Sequence, residues 1–275
     1  MVVVTGASAG IGAAAAVALA RRGATVVAVG RDERRLRRVA DRIAAAGPGI
    51  RGEPERADFA SLAEVRGLAE RLLERHERID VLVNNAGAVF GRRELSAEGH
   101  ELTLAVNHLA PFLLTNLLLD RMREAADARV VTTSSGAHAG GLIDLDDLEL
   151  ERSWSSWRAY CNSKLANVLF TRELAKRLAG GPVVANSLHP GVIRSRLGRN
   201  MGAVMRGGWG VASLFFGSPR RGARTIVHLA ASPEGGRTSG GYFVNGRPHA
   251  VVGQGADDFF AEELWRRSEE MVGLG

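Results

Sequence analysis

The stretch Val-Val-Val-Thr-Gly-Ala-Ser-Ala-Gly-Ile-Gly, residues 2–12, decides the fold. Its β-branched start predicts a strand, and the alanine-rich run that follows predicts a helix that stops at Gly23. Glycines between a strand and a helix let the backbone approach a pyrophosphate, whose charge then meets free N–H groups and the positive end of the helix dipole. The G-x-x-x-G-x-G spacing therefore predicts a dinucleotide-binding loop, with an ordinary glycine-rich turn as the alternative. The loop residues expected to hold the ligand are Thr5, Gly6, Ser8, Gly10, Ile11 and Gly12.

The rest of the chain continues this alternation of short β-branched runs and longer helical patterns. Strands are predicted at 2–5, 25–29, 79–83, 129–133 and 183–188, with a weak one within 50–57 and a late one at 241–244. Helices are predicted at 11–22, 33–46, 62–75, 101–122, 158–178, 221–231 and 258–272. We therefore expect an α/β fold, a single Rossmann-type doubly wound domain over residues 1–275, with a central and mainly parallel seven-stranded sheet flanked by helices.

Composition excludes several classes of protein. One Cys in 275 residues cannot form an internal disulfide or a Cys-rich zinc site, and no segment has the pattern of a secretory signal, so we expect a cytoplasmic protein without a metal. No apolar run reaches the roughly 18 residues that cross a bilayer, so we expect no integral membrane segment.

The formal charge of +6 is the second compositional feature. The basic residues, nearly all arginine, are spread along helical segments between acidic residues, and no nucleic-acid-binding motif accompanies them. We interpret them mainly as solvated helix faces and expect no nucleic-acid partner, the alternative being a polyanion-binding surface.

The end of the second predicted strand bears on the choice of cofactor. Arg31 lies where the adenosine ribose of a dinucleotide would lie, and an Arg there can pair with a 2′-phosphate, which favours NADP(H). Asp32 would favour the 2′-OH of NAD(H), which therefore stays possible, although its place just before a helix is also that of an N-cap. Asp58, after the weak third strand, is a candidate for binding the adenine amino group or for a turn.

Two groups of residues after later strands complete the candidate site. Asn85, Ala86 and Gly87 follow the fourth strand, where small and amide-bearing residues suit a chain that passes close to a ligand. Tyr160 and Lys164 lie 25 and 29 positions beyond Ser135, which follows the fifth strand. A Tyr and a Lys at i and i+4 share one helical face, so the ammonium can stabilise a phenolate. A surface pair on an amphipathic helix is the alternative.

Together these motifs resemble the short-chain dehydrogenases and reductases over essentially the whole chain. The loop of residues 5–12, Asn84-Asn85-Ala86-Gly87, Asn107, Ser135, Tyr160-x-x-x-Lys164 and His189-Pro190-Gly191 carry this resemblance. Asn107-His108-Leu109, the run from Tyr160 to Asn167 and the late Leu264-Trp265 are similar to the retinol dehydrogenase branch.

The resemblance implies roles for individual residues. It makes Tyr160 the proton donor or acceptor, Ser135 the group that polarises the substrate oxygen, Lys164 the residue that lowers the Tyr pKa and holds the nicotinamide ribose, and Asn107 the residue that orders a water. Ser135 is preferred over Ser134 on the resemblance alone. Further cofactor contacts are expected from Pro190, Gly191, Ile193 and Ser195.

The segment 195–219 resembles the substrate lid of the family. Its apolar side chains suggest a hydrophobic pocket, although a lid packed on the protein or on a partner subunit would have the same composition. Substrate contacts are expected, with packing as the alternative, from His138, Trp154, Met201, Met205, Trp209 and Phe215.

The sequence thus predicts an NADP(H)-preferring oxidoreductase that interconverts an alcohol and a ketone or aldehyde on a fairly apolar small molecule, with a homo-oligomer possible. One alternative is a tailoring ketoreductase of secondary metabolism that acts on a polyketide. A second, from another class, is a non-catalytic sensor or scaffold that binds NADP.

Overall fold

One open sheet organises the chain in the computed structural model, which describes residues 1–47, 49–191 and 217–274. The strands are β1 Val2–Val4, β2 Val26–Gly30, β3 Gly52–Arg56, β4 Val81–Asn84, β5 Ala128–Thr133, β6 Val183–His189, β7 Tyr242–Val244 and β8 Arg247–Pro248. Their order in the sheet is β3-β2-β1-β4-β5-β6-β7-β8, and every pair is parallel except β7 with β8. The order reverses between β1 and β4, which is the place where open α/β sheets bind ligands.

The predicted α/β class and doubly wound topology are confirmed, but the described sheet has eight strands rather than seven. The additional strand, β8, follows β7 through Asn245 and Gly246, both at positive φ (52° and 76°). This Asn-Gly pair is a strong hairpin signal. The predicted strand ends at Val244 because a two-residue strand that contains Pro shows no alternation of apolar and polar residues.

The helices occupy the intervals between the strands. They are α1 Gly10–Ala20, α2 Glu33–Ala44, α3 Leu62–Arg75, α4 Leu102–Arg123, α5 Ser156–Arg177, α6 Pro219–Ala231, α7 Pro233–Arg237 and α8 Asp258–Val272. Within α4 the residues Ala105–Leu109 form a π-helical stretch, and such stretches are frequent at functional sites. The predicted bounds of α3 and α8 agree with the structure at both ends.

The core lies on both faces of the sheet because successive strand residues point to opposite sides. In β1, Val3 packs with α3 and α4 on one face, whereas Val2 and Val4 pack with α1 and α6 on the other. This burial on both faces explains why the central strands are continuous apolar runs without alternation.

Helix α4 differs from the expectation that no segment could cross a bilayer. Its 22 residues are long and apolar enough to do so by composition, but 89% of the most apolar window is buried inside the protein. Burial of this kind accounts for its apolar composition as that of a core helix.

Candidate active site

The glycine loop joins β1 to α1 at the carboxyl end of the sheet. Gly6 has φ +66°, and a Cβ there would lie 2.8 Å from Cα of Ala86, so no larger residue fits between the two loops. Thr5 joins the loops as well: its Oγ1 accepts hydrogen bonds from the N–H groups of Asn85 (2.9 Å) and Ala86 (3.0 Å). The loops after β1 and β4 therefore form one surface, as their positions in the sheet require.

The start of α1 fits the phosphate groups of a dinucleotide. Its N-cap residue, Ala9, supplies no side-chain hydrogen bond, and the first turn contains no acidic residue. The N–H groups at this helix end therefore have no side-chain partner within their own turn. Gly10 has φ +60°, and nothing lies within 4 Å of the place where its Cβ would be. An anion can approach the backbone here and be stabilised by the helix dipole.

The charged residues at the end of β2 bear on the adenosine ribose of a dinucleotide rather than on its pyrophosphate. Asp32 is the N-cap of α2: one carboxylate oxygen accepts from the N–H of Arg35 (3.0 Å) and the other pairs with its guanidinium (2.9 Å). Arg31 is exposed and lies 3.9 Å from the carboxylate of Asp58. Asp58 is not the N-cap of α3, which is Ser61, but it accepts from the N–H of Ala60 within a turn.

Three of the predicted residues meet behind this loop surface. A Cβ on Gly87 would lie 3.2 Å from Oδ1 of Asn107 and 3.3 Å from Nζ of Lys164. Asn107 is fully buried in the π-helical stretch of α4. Its Oδ1 accepts from the N–H of Ala88 (2.8 Å), and its Nδ2 donates to Ala88 O (2.9 Å) and to Oγ of Ser163 (3.0 Å). These contacts fix the amide beside the Lys164 ammonium.

Tyr160 and Ser135 are also brought together. Burial raises the pKa of the Tyr160 phenol, and its interaction with the Ser135 side chain acts in the opposite direction. Burial lowers the pKa of Lys164 to about 8, so its ammonium is still mostly charged at neutral pH. In this arrangement the phenol is protonated at neutral pH with a cation nearby, which is the form that can donate a proton to a carbonyl oxygen.

A buried chain of polar groups extends from Lys164 into the core. Nζ of Lys164 and Nδ2 of Asn167 both donate to the carbonyl oxygen of Thr133, at 3.3 and 3.4 Å. His108 is also buried, and its Nε2 lies 2.8 Å from Oγ of Ser268 on α8, whereas its Nδ1 and Oδ1 of Asn167 have no hydrogen-bond partner among the described residues. In the sequence, His108 and Asn167 indicate only the resemblance to a family branch. A polar residue inside an apolar helical run is the signal that could have found them.

A third residue whose place near the site the sequence did not reveal is Tyr242 on β7. Its ring lies 4.6 Å, between centroids, from that of His138, and Nδ1 of His138 lies 2.8 Å from the carbonyl oxygen of Ser135. The Tyr242 hydroxyl is buried without a hydrogen-bond partner among the described residues. No local motif connects Tyr242 to Ser135, because the two are 107 positions apart and only the β6–β7 pairing brings them together.

The remaining predicted residues differ in how the structure places them. Pro190 and Gly191 follow β6 at the same edge of the sheet, whereas the indole N–H of Trp154 donates to the buried carboxylate of Glu101 (3.1 Å), as a packing residue would. Cys161 is buried, which raises the pKa of its thiol to about 11 and leaves it a weak nucleophile. The residues that lie outside the described part of the chain are Ile193, Ser195, Met201, Met205, Trp209 and Phe215.

A nucleotide-binding glycine loop joined to a Ser, Tyr, Lys and Asn cluster defines a class of dinucleotide-dependent oxidoreductases, and comparison with known proteins agrees with this class. Residues 1–205 match the family model of short chain dehydrogenases. The chain belongs to this family.

Individual relatives cover nearly the whole chain. A Streptomyces sp. (strain C5) protein named "Putative daunorubicin C-13 ketoreductase DnrU" is 45% identical over 99% of this chain and 92% of its own length. Human retinol dehydrogenase 14 is 41% identical over 99% of this chain and 86% of its own length. These similarities confirm the predicted retinol dehydrogenase-like branch.

Solved structures show the same fold. An uncharacterized protein from Mycobacterium paratuberculosis superposes with a TM-score of 0.80 at 34% identity, covering 99% of this chain and 92% of that one. The Pseudomonas aeruginosa RhlG/NADP active-site complex superposes with a TM-score of 0.70 at 30% identity, covering 88% of this chain and 93% of that one.

Proposed function

We propose that this oxidoreductase is a cytoplasmic enzyme that prefers NADP(H) and interconverts an alcohol and a ketone or aldehyde on a fairly apolar substrate. The observation that carries the proposal is the joint placement of Ser135, Tyr160 and Lys164, with the Lys beside Asn107 and the glycine loop in front of them. The name of the Pseudomonas aeruginosa complex, which includes NADP, supports the class of cofactor.

The preference for NADP(H) is supported by how the charges at the end of β2 are used. The Asp32 carboxylate is engaged by the first turn of α2 and by Arg35, so it is less available to a ribose hydroxyl. Arg31 is exposed, and its distance of 3.9 Å from Asp58 is long for an ion pair, so its guanidinium can turn to a 2′-phosphate. Competition between NADPH and NADH at a fixed aldehyde concentration tests this preference, and equal kcat/KM values for the two cofactors would contradict it.

The residues of the site have distinct tasks in the proposed reaction. The bound nicotinamide supplies or accepts the hydride. Ser135 donates a hydrogen bond to the substrate oxygen, and Tyr160 gives its proton to that oxygen in reduction or removes it in oxidation. The Lys164 ammonium favours the phenolate that results and would donate a hydrogen bond to the ribose of a bound cofactor. Asn107 holds the backbone of Ala88 and the hydroxyl of Ser163 in place around the ammonium.

The ionisation of Tyr160 bears on how each direction of the proposed reaction depends on pH. Because burial raises the pKa of Tyr160, the proton-donating form predominates at neutral pH, whereas oxidation needs the phenolate. We expect the oxidation rate to rise with pH as the phenolate becomes populated. Stopped assays in both directions from pH 6 to 10 would test this pH dependence.

A polyketide-tailoring ketoreductase is a second candidate because the Streptomyces relative, at 45% identity, carries a ketoreductase name. This candidate shares the same catalytic residues and differs only in the substrate. Turnover of a polycyclic aromatic methyl ketone at a kcat/KM well above that of a straight-chain aldehyde would favour it. Any turnover of a carbonyl or alcohol substrate would exclude the third hypothesis, a non-catalytic NADP sensor.

A further inference from the structure

We propose a second ligand site, away from the proposed active site, for a small amphiphile with an anionic head and a short apolar body. The site is a groove between α1 and α6, closed at one side by the end of α2, with a cavity volume of about 390 Å³. Neither the proposed reaction nor the cofactor uses any of the residues that line it. We call it the α1–α6 groove.

The floor of the α1–α6 groove is apolar. Ala14 and Ala18, one turn apart on α1, are half-buried, and Val17, Ala223 and Val227 beside them are buried. Two helices packed through small residues leave a shallow channel between their larger neighbours. Alkyl groups on such a floor are removed from water, which favours binding by up to about 0.8 kcal/mol for each methylene group.

The walls of the groove are strongly basic. Arg21, Arg22, Arg42, Arg220 and Arg224 line it together with His228, and no Asp or Glu does. Among the described residues none of these arginines has a carboxylate within 4.0 Å, and the segments outside the described part contain no Asp or Glu. The nearest acidic contact of the groove is at its end, where Glu234 lies 3.8 Å from the His228 ring.

Unpaired arginines also occur outside the groove. On α2, Arg35 pairs with Asp32 and Arg37 pairs with Glu33, whereas Arg34 and Arg38 have no carboxylate within 4.0 Å among the described residues. The groove differs because five such arginines line one cavity. Five guanidinium groups that face one cavity without counter-charges repel one another, and an anion relieves that repulsion by forming charge-assisted, often bidentate hydrogen bonds. The concave shape favours a small molecule over a flat bilayer.

Binding of decyl phosphate to the holoenzyme tests the proposal. Isothermal titration calorimetry is performed with NADP+ at saturation, so that the phosphate sites of the cofactor are filled. We expect decyl phosphate to bind at least about tenfold more tightly than inorganic phosphate or decanol, and decyltrimethylammonium not to bind. Tight binding requires both the anionic head and the apolar body of the ligand, because the arginines and the apolar floor line the same cavity.

Variants localise the binding. The pair Arg21→Gln and Arg224→Gln removes two walls, and Ala18→Phe fills the floor without a change of charge; each is expected to weaken decyl phosphate binding by about tenfold or more. Arg123→Gln, which removes an exposed arginine paired with Asp120, is the matched control and should leave the affinity unchanged. Retained aldehyde reduction and an unchanged thermal midpoint show that each variant is folded.

Three results would overturn the proposal. Equal binding of inorganic phosphate and decyl phosphate would leave only a general anion site. Unchanged decyl phosphate binding in all groove variants would place the ligand elsewhere, such as the substrate pocket. Binding to phosphatidylglycerol vesicles without binding of decyl phosphate would identify the groove as a membrane-facing surface. None of these results affects the proposed reductase activity, which is measured separately.

Discussion

The ammonium of Lys164 lies over the ring of Tyr160, with 5.6 Å between Nζ and the ring centroid. The i and i+4 positions on α5 impose this neighbourhood, and burial of both groups makes each charge costly. The phenol and the ammonium therefore stabilise each other most when the phenol is ionised, which is the state that follows proton donation to a substrate.

Replacement of Tyr160 by Phe tests the proton-transfer role. The ring and its contact with Lys164 are kept, so we expect NADPH affinity to change by less than about threefold. We expect kcat for aldehyde reduction to fall by about 10² to 10⁴, because the general acid is lost. Cofactor titration and steady-state kinetics on the same preparation measure both quantities. A kcat within threefold of the wild type would remove Tyr160 from the mechanism.

Lys164→Met is expected to inactivate the enzyme and to stabilise the fold. Burial lowers the pKa of Lys164 from 10.5 to about 8, so keeping the ammonium charged at pH 7 costs on the order of 3 kcal/mol of folding free energy. Unfolded chains bind this proton more tightly, so that cost disappears as pH rises from about 8 to 10.5. The free energy of unfolding in urea, compared at pH 7 and pH 10 for the wild type and the variant, measures this cost.

The chain offers a matched control in its second lysine. Lys176 is exposed and lies within 4 Å of Glu173 and Glu262, so Lys176→Met should change neither activity nor the pH dependence of stability appreciably. A Lys164→Met variant less stable than the wild type at pH 7 would show that the ammonium is better solvated than its burial suggests.

The sequence was sufficient for the doubly wound fold class, the glycine loop and the Tyr160–Lys164 pair because these depend on local signals, whereas Asn107 and Ser135 were expected only from the resemblance to a known family. Strand and helix periodicity, the glycine spacing and the i, i+4 pair each lie within about a dozen residues, and parallel strands bring their carboxyl ends to one edge. At Arg31 and Asp32 local signals are not sufficient. Their order in the sequence leaves the cofactor open, and only the hydrogen bond from Arg35 N shows that Asp32 is used as a cap.

The parts that could not be predicted depend on contacts between distant segments. Tyr242 reaches His138 through strand pairing, and His108 reaches Ser268 through the packing of α8, neither of which has a local signature. The strand β8 was missed for the opposite reason, since its signal, Asn245-Gly246, is local but the strand after it is too short to show a period.

Two glycines of the loop are expected to respond differently to Ala. A Cβ on Gly12 would lie 2.5 Å from both Nδ2 of Asn85 and the carbonyl oxygen of Gly6, so Gly12→Ala should lower stability by about 1 to 3 kcal/mol even without cofactor. Gly10→Ala meets no atom within 4 Å, and its strain at φ +60° costs about 1 to 2 kcal/mol.

Cofactor binding distinguishes Gly10→Ala from Gly12→Ala. The methyl group of Gly10→Ala lies in the space left for the phosphates, so we expect its NADPH affinity to fall by about tenfold or more. This loss of affinity is in addition to its loss of stability. Fluorescence titration with NADPH and urea unfolding of the apoprotein give the two numbers. Wild-type affinity in Gly10→Ala would indicate that the phosphates do not approach this residue.

The buried His108 makes the fold sensitive to acid. Burial lowers its pKa from 6.5 to about 4, so the unfolded chain binds a proton more readily than the native one in this range. Stability should therefore fall as pH decreases from about 6.5 to 4, by up to roughly 3 kcal/mol from this group. His108→Gln should reduce this slope, whereas His249→Gln at an exposed position should not. Equal slopes for the two variants in urea unfolding at pH 4.5 and 7 would contradict the assignment.

Arg31 is expected to determine the choice between NADPH and NADH. If its guanidinium leaves Asp58 to pair with a 2′-phosphate, the wild type should favour NADPH by about tenfold or more in kcat/KM, which corresponds to about 1.4 kcal/mol. Arg31→Ala should remove most of this preference by weakening NADPH alone, because NADH has no group for the guanidinium to bind. Arg31→Lys should keep part of it, since an ammonium retains the charge but not the bidentate geometry. Arg37→Ala, an exposed arginine paired with Glu33 on the same helix, is the control for loss of general positive charge. A preference that survives Arg31→Ala, or that falls equally in Arg37→Ala, would mean that the 2′-phosphate is recognised elsewhere or only through the overall field of the protein.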